Sequence, residues 1–224
     1  MALGLASVAG VTLVADLNAI RAADPRPPLM VRAGQAADAV RLAPWRADYR
    51  RIYAEVLAEG GSAMAAQQQL ALALRYGPAD ARAWVQYELL LAAQAPDDPR
   101  VAQAATMVNA LAPHEPELQR SQADLAAAVW HDAGLAARQA WLPSLRYILA
   151  GQHDDFLVES FRRGEDSNLC SASADLGLAQ WCRYAEAARM YCSRGELNAA
   201  QARQCTDWGI PSTALSGSSA GGLP

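Results

Sequence analysis

LALALRYGPADARAWVQYELLLA, residues 70–92, sets an apolar stripe against a Gly-Pro break and then opens a second stripe at Trp84. Leu70, Leu72 and Leu74 with their small neighbours read as one helix, and Trp84, Tyr87, Leu90 and Leu91 recur at the three- and four-residue steps of another. Upstream, Tyr49, Ile52, Tyr53, Val56 and Leu57 keep the same period. No stretch alternates Val, Ile, Thr or Tyr around an Asn-Gly or Asp-Gly turn, so strands are not expected. The chain of 224 residues is 52% hydrophobic and only 19% charged, Ala-rich and poor in Phe, a balance that favours helix. A net charge of -4 and the lack of any Lys/Arg run exclude a basic field for nucleic acid.

Punctuation decides whether the opening stretch is one broken helix or a joint. Ala43-Pro44, Gly77-Pro78 and Ala112-Pro113 lie 34 and then 35 residues apart, each after an apolar helix and before a polar helix start. The stretch is therefore the joint between two copies of a helical hairpin. Further breaks are read at Pro25 to Pro28, Gly60-Gly61, Pro96 to Pro99, Gly134, Pro143, Gly151, Gly164, Gly195 and Gly209.

At these residues the chain resembles a tetratricopeptide repeat (TPR) array, a unit of two antiparallel helices in about 34 residues with the pattern W-x2-L-G-x2-Y, then A-x3-F and a closing Pro. Arg50-x2-Tyr53-Ala54-x2-Leu57, Ala66-x3-Leu70 and Pro78 carry one unit. Trp84-x2-Tyr87-Glu88-x2-Leu91, Val101-x3-Ala105 and Pro113 carry the next, with one residue inserted near Asp97-Asp98. Arg50 stands where an aromatic is usual and Glu88 where Gly is preferred. After Pro113 the pattern fades through Gln119, Gln122 and Ala126. The resemblance implies an all-α, TPR-like α-solenoid of antiparallel helical hairpins with an N-terminal apolar helix. It also implies a concave partner-binding face carrying Asp48, Arg51, Glu55, Arg82, Gln86, Glu117, Arg120 and Asp124. A row of Arg51, Arg82 and Arg120 would offer bidentate bonds to a partner's carboxylates.

The segment Ala2 to Ala15 is uncharged and apolar, but fourteen residues span about 21 Å as a helix against a hydrocarbon core of about 30 Å. A signal-peptide core, a short membrane anchor and a buried helix on the first repeat compete, and a membrane-associated helix is favoured. Cys170, Cys182, Cys192 and Cys205 are confined to the last quarter of the chain, the pattern of a stapled exported region. No Cys-x-x-Cys and no nearby His argue for zinc. A Cys182–Cys192 bridge is disfavoured, because one helix over residues 181–191 would hold those Cα atoms about 15 Å apart. Of the two remaining connectivities, Cys170–Cys182 with Cys192–Cys205 is preferred because it needs only local hairpins. Free thiols would instead place the domain in the cytoplasm.

Chemistry-bearing motifs are absent. His114, His131 and His153 are dispersed, and there is no His-Glu-x-x-His or Gly-x-Ser-x-Gly. Glu59-Gly60-Gly61-Ser62 lacks the Lys of a phosphate loop. The tryptophans, spread one per helix, are expected to fill the core. No enzyme activity, cofactor or metal is expected.

The organisation expected is an apolar helix over 1–24, TPR-like repeats over 29–150, a Cys-containing helical region over 151–210 and a tail over 211–224. The function expected is a non-catalytic scaffold or accessory subunit on the periplasmic side of a bacterial inner membrane, bound to protein partners and not to nucleic acid. In style it resembles the repeat domains attached to envelope-polysaccharide machinery. The alternative is a permanent structural subunit of a larger membrane complex, its apolar helix packed on partner helices.

Overall fold

A computed structural model describes residues 2–151, 153–193, 197–208 and 210. Helix is the only regular structure among them, in a repeat-like order. Two compact units divide the chain, Met1–Pro113 and His114–Pro224.

The first unit is a succession of hairpins: α1 (Ala2–Ala23) with α2 (Leu29–Leu42), α3 (Ala47–Glu59) with α4 (Ala63–Tyr76), and α5 (Ala81–Ala92) with α6 (Pro99–Leu111). Helix α2 packs in turn on α3, and α4 on α5. Helix α1 thus forms a hairpin with the start of the expected repeat segment, and the segment 29–150 runs through the division at Pro113.

The joints share one conformation. Ala43, Gly77 and Ala112 have φ/ψ of -140/73°, -138/72° and -140/56°, and each donates its N–H to the carbonyl four residues back, closing the helix before it. The following proline disfavours the helical region for each of these residues, so the sequence itself favours the break. Gly77 has its own reason to be glycine: a Cβ there would stand 2.8 Å from the Cβ of Ala47. Six residues beyond the proline a side chain latches the joint. Trp84 Nε1 donates to the Pro78 carbonyl at 2.8 Å, and Arg50 Nε donates to the Pro44 carbonyl at the same distance. Arg50 departs from the aromatic preference yet supplies the same N–H, and it lies over the Tyr76 ring at 5.5 Å. Inside the α3/α4 hairpin, Gly61 turns the chain at φ 75°, a region open to glycine.

Helix α1 is held by small residues and two polar clamps. Ala15 and Ala19 pack with Ala39, Ala43 and Tyr49 in one buried cluster. The Tyr49 hydroxyl donates to Asp16, and the nearly buried Arg32 donates to the Ala22 carbonyl at 3.0 Å and to both Glu59 oxygens at 2.7 and 2.8 Å. The larger residues Leu13, Leu17 and Ile20 face outward. Among the described residues no helix is long and apolar enough to cross a membrane.

Burial, followed by the hydrogen bond to Asp16, pushes the Tyr49 phenol up to about 12. An unfolded tyrosine titrates near 10, so the neutral form is favoured in the fold. The stability this confers is full below about pH 10 and is lost as pH rises through about 12. A phenolate absorbance titration should show one tyrosine ionising late, and Tyr49→Phe should remove that step and flatten the alkaline stability profile.

In the second unit α7 (Pro116–Val129) packs along α8 (Leu135–Gly151), followed by α9 (His153–Arg162), α10 (Asp166–Ser171), α11 (Ser173–Leu176), α12 (Ala179–Cys192) and α13 (Ala199–Asp207). Pro143, expected to break a helix, lies inside α8. Its neighbours Trp141, Leu145 and Ile148 bury against the core, and that packing outweighs the lost backbone bond. The weak-pattern residues Gln119, Gln122 and Ala126 are buried all the same, and Ser144 Oγ donates to Gln122 Oε1 at 2.6 Å.

The cysteines pair as Cys170–Cys182 and Cys192–Cys205, with Cα separations of 5.6 and 5.7 Å. They bind α10 to α12 and α12 to α13. Arg189 on α12 adds an ion pair with the buried Asp166 of α10 and covers the Phe161 ring. Of the tryptophans, Trp130 and Trp141 are buried, but Trp45 is 58% exposed, because it follows Pro44 in the joint and lies on no helix face. The tail over 211–224 lies outside the described residues.

Candidate partner-binding groove

In the first unit the residues expected on a concave face separate into two groups. Arg51, Glu55 and Gln86 converge where α3 meets α5. Arg51 Nη1 and Gln86 Nε2 each donate to Glu55 Oε1 at 2.5 Å, the first across one helical turn and the second between helices. Asp80 joins them: its Oδ2 lies 3.4 Å from Arg51 Nε while its Oδ1 caps α5 by accepting from Ala83 N at 3.1 Å. Asp48 turns instead to Arg46, accepting at 2.7 and 2.9 Å, and that hydrogen-bonded guanidinium holds its carboxyl below the usual range. Arg82 is exposed on the first turn of α5.

Beside this network is a cleft of about 260 Å³ lined by Ala54, Glu55, Ala58, Leu70, Gln86, Leu89 and Leu90. Ala54 and Ala58, four residues apart on α3, leave the space; Leu70 forms a buried wall and Leu89 an exposed one. The apolar lining and Asp80 were missed in the sequence reading. The available signal was the pair of alanines one turn apart, set against the Leu89-Leu90 step.

The second unit arranges its residues differently. Glu117 is exposed on the first turn of α7. Arg120 pairs with Asp124 at 3.1 Å and lies over the Phe156 ring, and Asp124 accepts from Arg163 at 2.8 Å. Arg163 also reaches Glu165, whose carboxyl is pushed up, first by burial. Arg51 and Arg120 therefore already hold internal carboxylates.

His131 Nε2 and Ser171 Oγ approach to 3.2 Å, but both are exposed and the hydroxyl also contacts the Ser167 carbonyl at 3.0 Å. Among the described residues no three His, Cys, Asp or Glu gather as a metal site would require. Compared with protein families, curated proteins and solved structures, the chain matches none.

Proposed function

We propose that the chain is a non-catalytic protein–protein interaction scaffold, a TPR-like solenoid working on the periplasmic face of a bacterial membrane, with envelope polysaccharide assembly as its setting. The observation that carries this reading is the α3/α5 groove: an apolar cleft rimmed by a hydrogen-bonded Arg51–Glu55–Gln86 set, suited to hold a segment of another protein. The two bridges support an oxidising compartment outside the cytoplasm.

One observation favours the alternative of a structural subunit in a larger membrane complex. Helix α1 turns alanines inward and Leu13, Leu17 and Ile20 outward, at 60, 43 and 67% exposure. A helix apolar on both faces belongs between two apolar surroundings. Photo-cross-linkers placed singly at Leu89 and Leu17 in the native cell separate the readings. The scaffold should give a discrete protein adduct from Leu89, whereas a structural subunit should give one from Leu17 alone. Silence at Leu89 would sink the scaffold reading.

A further inference from the structure

We infer that the Cys170–Cys182 bridge is a thiol-exchange site: an incoming thiolate bonds to Cys170 Sγ and expels Cys182 as the thiolate, while the His114–Pro224 unit stays folded. This goes beyond the scaffold reading and does not depend on it.

Access separates the two bridges. Cys170 and Cys182 are partly exposed, whereas Cys192 and Cys205 are fully buried. Exchange needs a path to a sulfur, so the first pair is open to a thiol in the folded chain. The segment that carries Cys170 can also give. Gly164 and Gly177, at φ 79 and 70°, bracket α10 and α11, and a Cβ at either would meet nothing within 4 Å. Other ties hold this segment without the bridge. Asn168 Nδ2 donates to the Ala127 and Ala128 carbonyls at 2.8 and 3.1 Å, Leu169 is buried, and Asp166 accepts from Arg189 Nε at 2.8 Å. Opening the bridge therefore leaves α10 seated on α7 and paired with α12.

Helix ends choose the leaving sulfur. Cys182 N is the donor that closes the first turn of α12 onto the Leu178 carbonyl, at 2.9 Å. Side chains lean toward a helix N-terminus, which sets Cys182 against the N–H groups of residues 179–181, and the N-cap Leu178 has no side-chain oxygen to satisfy them. Such a position favours a thiolate. Cys170 lies one residue from the C-terminal end of α10, where negative charge is disfavoured. The better-stabilised thiolate leaves faster, so attack falls on Cys170. In the first step the R–S⁻ pair forms a bond to Cys170 Sγ, and the bridge electrons depart on Cys182 Sγ. A second thiolate then displaces Cys170, giving the R–S–S–R disulfide and a reduced Cys170/Cys182 pair.

The probe is glutathione, added to the full chain, with aliquots quenched in N-ethylmaleimide and mapped by peptide mass spectrometry. Glutathione should appear on Cys170 and maleimide on Cys182, at least about threefold over the reverse arrangement, while Cys192–Cys205 stays closed. Hydrogen exchange of this adduct should show protection kept in α7 and α8 and lost in α10 and α11. Ala179→Glu puts an exposed carboxylate in the first turn of α12, where it supports the helix but disfavours a neighbouring thiolate, and should lower the Cys170 preference. Glutathione mainly on Cys182, an unchanged preference in Ala179→Glu, or opening of both bridges in step would each overturn the inference, the last because exchange would then require the unit to unfold.

Discussion

Dithiothreitol is expected to cost the His114–Pro224 unit about 2 to 4 kcal/mol per bridge, read as a lowered denaturation midpoint and as lost hydrogen-exchange protection in α10, α12 and α13. The bridges close loops of 12 and 13 residues, for which chain entropy gives about 3 kcal/mol each. Around them the C-terminal helices bury little: the Cys192–Cys205 bridge sits in a small cluster with Ile210, Phe161, Ala188, Tyr191, Leu197 and Trp208. Such a region depends on cross-links more than a large core would. The two bridges should also open in order. Cys192 and Cys205 are fully buried, whereas Cys170 and Cys182 are partly exposed, so graded reduction with alkylation should label the latter pair first. Equal loss of protection in Met1–Pro113 would show that the bridges do not act locally.

Trp141→Ala is expected to destabilise the second unit by about 3 to 5 kcal/mol, the range for removing a large aromatic from a core. Trp141 is 0% exposed on α8, beside the buried Leu145 and Ile148, and α8 meets α7 along this face. Trp45→Ala should instead fall within about 0.5 kcal/mol of the native chain, because its ring is 58% exposed. Denaturant unfolding followed on both variants checks the contrast. Similar losses at the two sites would mean that Trp141 is not the packing centre its burial indicates.

The legible part of the fold was the part written in local rules. X-Pro joints and a 34-residue spacing located the hairpins, because local sterics disfavour the helical region for a residue before proline. The disulfide pairing was legible for a similar reason, since a helix between Cys182 and Cys192 leaves local closure as the simplest choice. What local pattern could not give was tertiary override. Pro143 reads as a break but is carried inside α8 by the packing of its neighbours, and Trp45 reads as core but emerges at a joint. The role of α1 was obscured by composition: an alanine face that packs and a leucine face that does not are equally apolar in sequence. The groove was half visible. Its charged rim follows helix periodicity at Arg51, Glu55 and Gln86, but which arginine is already neutralised depends on Asp80, a cap from another helix.

The identical joints carry a consequence for how such a chain can grow. Because the Pro44 and Pro78 hinges are each defined by one dipeptide and latched by a donor six positions later, the instructions for orienting a hairpin travel with that hairpin's own sequence. Copying the stretch from Pro44 to Gly77 in tandem would therefore bring its own latch and its own stop. The length of the array is a matter of gene duplication, open to lengthening by whole modules without redesign of what lies on either side.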